Sequence, residues 1–298
     1  MNAKAPEPHA DARTPDASGP ELRADGLTLA YDGAPVVDGL DLAVPPGRIT
    51  AIVGANACGK STLLRALARL LSPRDGAVYL DGRKLQSLPT RQLARDLGIL
   101  PQGPVAPDGL TVLDLVNRGR SPYQTWWRQW SKDDEAAVHA ALAATGITDL
   151  AHRAVDELSG GQRQRAWIAM AVAQGTRVLL LDEPTTYLDM AHQIDVLDLV
   201  VDLNRREGRT IVMVLHDLNQ AARYADHMVA MKSGRIVAEG APTTVITAAI
   251  VEDVFGLRCQ VTTDEISGTP LVLPISRHHA GRKPTSPPEA HPPTPRPA

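Results

Sequence analysis

Gly54, Ala55, Asn56, Ala57, Cys58, Gly59, Lys60 and Ser61 are contiguous, and their types suit one task, the binding of a polyphosphate. Gly54 and Gly59 permit a tight turn and a close backbone approach, so that successive N–H groups and the start of a following helix face one anion. Lys60 is placed to reach β- and γ-phosphates, and Ser61 to offer a hydroxyl to the Mg²⁺ that a nucleoside triphosphate carries. Two adjacent carboxylates, Asp182 and Glu183, close an apolar run at 178–181. Asp182 can hold the cation directly or through water. Glu183 can orient and polarise a water that attacks the γ-phosphate, a transfer in which positioning and charge stabilisation supply most of the catalysis.

Three further positions fit the same chemistry. Ser159-Gly160-Gly161-Gln162 opens a helix expected over 163–174, with Ser159 as N-cap and two glycines that leave backbone amides bare toward an anion. The stretch is either a second phosphate site or a glycine-containing cap. Gln102, after a strand at 97–100, can touch a Mg²⁺-bound water or the γ-phosphate, or else is a loop glutamine. His216 follows a strand at 211–215 and can hydrogen-bond the γ-phosphate, or simply starts a helix. Tyr31, one of only ten aromatic residues, closes an expected strand at 27–31 and is a platform for an adenine ring or an ordinary strand-end tyrosine.

The elements that must hold these residues alternate in type. The phosphate loop lies between an apolar strand pattern at 49–53 and a helical one at 62–71 with Leu63, Leu64, Leu67, Leu70 and Leu71, as such a loop requires. The apolar run before Asp182 reads as a buried parallel strand, which delivers both carboxylates at the sheet edge where ligands bind. Thr111 and Ser131 cap helices expected over 112–118 and 132–144, a helix is expected over 190–207, and 228–231 with 235–239 form a hairpin. Between the capped helices, residues 122–130 hold three of the four tryptophans and Arg128, a composition that suits either a protein interface or a small local core.

Composition sets the class. With 298 residues and 43% hydrophobic content, the chain can bury a substantial core. No apolar stretch is long enough to cross a bilayer and residues 1–20 contain no secretion signal, so a cytosolic protein is expected. Cys58 and Cys259 are expected as free thiols. A net charge of −3 gives no electrostatic footprint for nucleic acid. Residues 1–20 and 277–298 are rich in Pro and lack an apolar period, and are expected to be disordered.

Six motifs in order carry a resemblance. The chain from about 21 to 276 resembles the ATP-binding subunit of ABC transporters: residues 54–61 resemble its Walker A, Gln102 its Q-loop, 158–162 its signature, 178–183 its Walker B, Leu188-Asp189 its D-loop and His216 its H-loop. Within the family, 146–174, 179–200 and 214–230 look most like importers of ferric siderophores, haem and vitamin B12, and Tyr187, with 256–259 and 268–270, fits the ferric-siderophore group best.

The resemblance implies an α/β fold: a P-loop NTPase (RecA-like) core, an N-terminal antiparallel β subdomain and an inserted helical subdomain at about 103–170. It implies catalysis by Glu183, His216, Gln102 and Lys60, nucleotide contacts from Tyr31 and from Gly54 through Thr62, and Mg²⁺ contacts from Ser61, Gln102 and Asp182. Ser159, Gly160, Gly161, Gln162 and Asp189 would act on the ATP of a second copy in a head-to-tail dimer. The expected partners are that second copy, an integral membrane permease and, indirectly, a substrate-binding protein, with the chain at the cytoplasmic face of the membrane and no nucleic acid involved. Import of haem or vitamin B12, or a soluble ABC clamp, are the alternatives. The family pattern usually carries a small residue such as Gly where Ala57 stands and often Pro where Ala55 stands, both variable positions.

Overall fold

A computed structural model describes residues 21–276 except 126, 128 and 129. Both expected disordered tails, and three positions of the tryptophan-rich segment, lie outside the described residues. In chain order the elements are β1 (Leu22–Leu29), β2 (Val37–Val44), β3 (Ile49–Gly54), α1 (Lys60–Leu67), β4 (Asp75–Leu80), β5 (Arg83–Lys84), α2 (Thr90–Asp96) and β6 (Leu97–Leu100). Three helices follow, α3 (Val112–Arg118), α4 (Lys132–Ala144) and α5 (Gly160–Ala173). The chain then alternates: β7 (Val178–Asp182), α6 (Met190–Glu207), β8 (Thr210–Val214), α7 (Leu218–Tyr224), β9 (His227–Lys232) and β10 (Arg235–Gly240). It closes with α8 (Pro242–Val245), α9 (Ala248–Phe255), β11 (Cys259–Thr263) and β12 (Pro270–Pro274).

The main sheet has the order β10-β9-β3-β8-β7-β6, parallel except for β10 on β9. A second, antiparallel sheet has the order β2-β1-β4-β5, and β11 pairs with β12 apart from both. Alternate residues of the central strands feed two cores. Ile52, Leu180, Val212 and Val214 join α1 and the antiparallel sheet, whereas Ala51, Val53, Leu179, Leu181, Ile211 and Met213 join α3 to α7. A strand covered on both faces needs no polar side, which is why β3, β7 and β8 are buried at every residue. The mixed α/β architecture, with an antiparallel β subdomain and helices α3–α5 inserted between β6 and β7, is the expected one.

Several boundaries differ from expectation for local reasons. β1 spans 22–29 rather than 27–31, because Gly26 at φ +56 breaks the alternation with a register shift, and Tyr31 lies beyond the strand instead of closing it. Helix α1 starts at Lys60, so the phosphate loop supplies its first turn, and it ends at Leu67 because Arg69 turns to φ +58 and leaves Leu70 exposed. Helix α5 starts at Gly160 rather than residue 163: Ser159 and Gln162 form a reciprocal capping box that offsets two poor helix formers. Trp127 and Trp130 are 82% and 45% exposed, so neither sits in a small local core. No helix among the described residues is long and apolar enough to cross a membrane.

Candidate functional site

The phosphate loop leaves β3 at Gly54, whose φ of +157 and surroundings admit no side chain: a Cβ there would lie 2.3 Å from the Met231 carbonyl oxygen. Gly59 takes φ +105 immediately before α1. Ala57 takes φ +62, a left-handed conformation that explains the family's small residue at this place. Lys60 is buried, and its ammonium donates to the carbonyls of Gly54 (2.9 Å) and Ala55 (3.0 Å), which holds it across the mouth of the loop. The Ser61 hydroxyl donates to Asp182 Oδ1 at 2.9 Å.

Asp182 ends β7 and is buried. Burial pushes its carboxyl above the usual carboxylate range, opposed by the Ser61 hydrogen bond and reinforced by the charge of Glu183. Ser61, Asp182 and Gln102 together offer hydroxyl, carboxylate and carboxamide oxygens, the hard donors that Mg²⁺ takes. No group of three His, Cys, Asp or Glu residues suited to a metal occurs among the described residues. The set therefore fits a cation held by few protein atoms and by nucleotide oxygens, as Mg²⁺ is held, better than one in an all-protein cage.

Glu183 takes φ +53, a strained conformation for a residue with a side chain. That turn aims its carboxylate at three groups from separate elements. Gln102, after β6, donates to Oε2 at 2.5 Å, Thr186 Oγ1 donates to the same oxygen at 3.0 Å, and His216 Nε2 lies 2.6 Å from Oε1. Both carboxylate oxygens are thus fixed at the carboxyl edge of the sheet. Gln102, Glu183, Thr186, Tyr187 and His216 line one open cleft of about 630 Å³ together with Val36, Asn56, Ala57 and Gly59 through Thr62. Gly54, Ala55, Cys58 and Asp182 do not line it. Thr186, Tyr187 and Val36 were not foreseen as site residues, although a threonine three places after the glutamate at a turn was a usable signal for Thr186.

Tyr31 is 53% exposed, and its hydroxyl accepts from Arg65 Nη1 at 3.0 Å. Hydrogen bonding to Thr62 holds its phenol below the ordinary value, with Arg65 adding to the effect and burial opposing it. Tyr31 is not among the residues that line the cleft.

Ser159, Gly160, Gly161, Gln162 and Asp189 do not reach this cleft either. They form a second group. Asp189 caps α6 by accepting from the His192 amide at 3.0 Å and faces His192 Nδ1 at 2.7 Å. The His192 ring in turn covers Gly161, where a Cβ would stand 2.2 Å from Cδ2. One polypeptide therefore carries a phosphate loop with its carboxylates and, apart from them, a capped helix N-terminus beside the start of α6.

A strand–loop–helix phosphate cradle with a buried aspartate and a glutamate at the same parallel-sheet edge defines a P-loop nucleoside triphosphatase. Residues 37–186 match the family model described as ABC transporter. The chain is 60% identical over 256 residues to a Bacillus subtilis protein named Probable siderophore transport system ATP-binding protein, covering 86% of this chain and 93% of that one. It is 53% identical over 256 residues to the ferric enterobactin transport ATP-binding protein of Escherichia coli, with coverages of 86% and 94%. Among solved structures, one described as a metal-chelate type ABC transporter in an inward-facing conformation superposes with a TM-score of 0.76 at 29% identity, over 87% of this chain and 99% of that chain. A dimeric bacterial ABC transporter cassette matches at TM-score 0.66 and 27% identity, over 74% and 98%. The chain belongs to the ABC transporter family, and it is an ATP-binding subunit that hydrolyses ATP.

Proposed function

We propose that this chain powers import of an iron–siderophore complex through a separate membrane permease, by binding and hydrolysing ATP between two copies arranged head to tail. The observation that carries the cargo is its 53–60% identity, over nearly the whole chain, to siderophore-uptake ATP-binding proteins. The match to a cobalamin import ATP-binding protein stands lower, at 39%.

In this mechanism the amides of residues 55–61 and the Lys60 ammonium hold the β- and γ-phosphates, and Tyr31 stacks the adenine. Mg²⁺, held by Ser61, Asp182 and Gln102, would neutralise charge developing on the phosphate oxygens. Glu183 orients a water in line with the γ-phosphorus and takes its proton as the new O–P bond forms and the bond to the β-phosphate oxygen breaks. His216 donates to the γ-phosphate. Ser159, Gly160, Gly161 and Gln162, with Asp189, serve the nucleotide of the other copy, which accounts for their separation from the cleft. The permease docks through the region after Gln102, where Val105 is exposed, and holds the chain at the cytoplasmic face of the membrane with a substrate-binding protein on the far side.

The test is an affinity pull-down of Glu183→Gln with ATP from detergent-solubilised membranes, paired with uptake of radioiron–siderophore by cells carrying Lys60→Ala. Recovery of a polytopic permease and loss of iron–siderophore uptake are expected. Intact iron uptake with loss of haem or cobalamin uptake would replace the cargo, and recovery of soluble partners alone would overturn the transporter reading.

A further inference from the structure

Helix α7 begins two residues after His216 and contains only seven residues, too few to be stable by itself. Its buried face offers Leu218, Ala221 and Ala222. One leucine and two alanines bury it but present little relief to resist sliding, so polar contacts must set its position. They come in two rows at helical i,i+4 spacing. Gln220 and Tyr224 face α6: Gln220 Nε2 donates to Gln193 Oε1 at 2.6 Å, and the Tyr224 hydroxyl to Asp198 Oδ1 at 3.0 Å. Asn219 and Arg223 face the C-terminal hairpin.

The hairpin side is the more specific. The Asn219 carboxamide pairs with the backbone of Val272 in both directions, accepting from its N–H at 2.7 Å and donating to its carbonyl at 3.3 Å. It thereby acts as one more strand residue on the edge of β12. Four residues on, Arg223 Nη2 donates to Asp264 Oδ2 at 2.5 Å. Asp264 also organises the loop between β11 and β12, accepting from the Ser267 hydroxyl at 2.7 Å and from the Ile266 amide at 3.0 Å. The hairpin belongs to neither large sheet, and both of these contacts end on the helix that follows His216.

We propose that the C-terminal hairpin is a clamp on α7 and that Asn219 is a positioning residue, which sets His216 for hydrolysis by tying α7 to Val272. The inference rests on the proposed role of His216. Asn219 is not among the residues that line the cleft, so it acts through the helix.

The experiment is a double-mutant cycle on ATP hydrolysis by the transporter complex, using Asn219→Ala, His216→Ala and their combination. In the parent, Asn219→Ala is expected to lower kcat roughly tenfold, the scale of a small misplacement of a reacting group, with KM for ATP within about twofold. On the His216→Ala background the same substitution should change kcat less than about twofold, because its effect is already spent. An equal loss on both backgrounds, or no loss in the parent, overturns the clamp. Unchanged kcat in His216→Ala alone instead removes His216 from the site. Arg223→Ala, altered at the partly exposed end of the clamp, is run through the same cycle should Asn219→Ala fail to fold, and the same two patterns decide.

Discussion

Three residues with side chains hold positive φ around the cleft, Ala57 at +62, Glu183 at +53 and Tyr187 at +64, and for the first two the conformation has a different consequence. For Ala57 the left-handed turn costs about 1 kcal/mol relative to Gly. Gly would relieve that cost but add unfolded-state entropy of similar size. Ala57→Gly is therefore expected to leave stability within about 0.5 kcal/mol, where the same change in a helix interior loses roughly 1 kcal/mol; urea denaturation of the two variants compares them. For Glu183 the strain positions a carboxylate between Gln102, Thr186 and His216, and loss of its charge should be felt in chemistry rather than in binding. Glu183→Gln is expected to keep ATP affinity and to lower turnover by about 10²-fold or more. Equilibrium nucleotide binding beside steady-state hydrolysis in the transporter complex measures both, and turnover near the parent rate would remove Glu183 from its role.

At the scale of elements, helices α3, α4 and α5 are joined by a buried charge. Arg120, after α3, meets Asp134 of α4 at 2.9 Å and donates to the Ala173 carbonyl at the end of α5 at 2.8 Å, with the Tyr123 ring 3.8 Å from its guanidinium. Burial pushes the Asp134 carboxyl up, but Ser131 and Arg120 outweigh it and hold it below the usual range. Arg120→Ala leaves that carboxylate buried without its cation and should destabilise by about 3–5 kcal/mol, read from the urea midpoint. The Arg223–Asp264 contact gives a pH dependence with a definite sign. Arg223, with Ser267, holds the Asp264 carboxyl far below its ordinary value, so its stabilisation is complete above the unfolded value near ~3.9 and is lost as pH falls toward the folded one. Asp264→Asn should flatten the acid limb of a melting-temperature profile below about pH 4 and leave the neutral region parallel to the parent.

These elements also mark what a sequence can and cannot reveal. The caps Thr111 and Ser131 and the helix at 190–207 were legible because capping and apolar spacing are local signals. The bulge at Gly26 was not, because a register shift destroys the alternation by which a strand is recognised. Within the site, the phosphate loop and the two carboxylates could be read from residue types. The meeting of Gln102 with Glu183, 81 positions away, and of Asn219 with Val272, 53 positions away, exists only in the folded chain.

For the whole molecule, the proposed head-to-tail pairing accounts for the separation between the cleft and the Ser159–Gly161 edge. In a head-to-tail dimer each nucleotide uses the phosphate loop of one subunit and the signature helix of the other. Mixing two defective subunits should therefore repair one site. Lys60→Ala removes the cation from its own cleft, and Gly160→Asp, at an exposed position where a Cβ meets nothing nearer than 3.6 Å, places a carboxylate where the helix N-terminus would receive the partner's phosphate, repelling it. A dimer of either variant has two damaged sites. A dimer with one of each has one site assembled from an intact loop and an intact signature, and another in which both defects coincide. On a Glu183→Gln background, which stops turnover, a mixture of the two is expected to retain nucleotide through gel filtration in a dimer-sized peak, at one ATP per mixed dimer, while neither parent retains it. If the mixture dimerises but stays empty, the signature serves its own subunit and the shared-site arrangement is wrong.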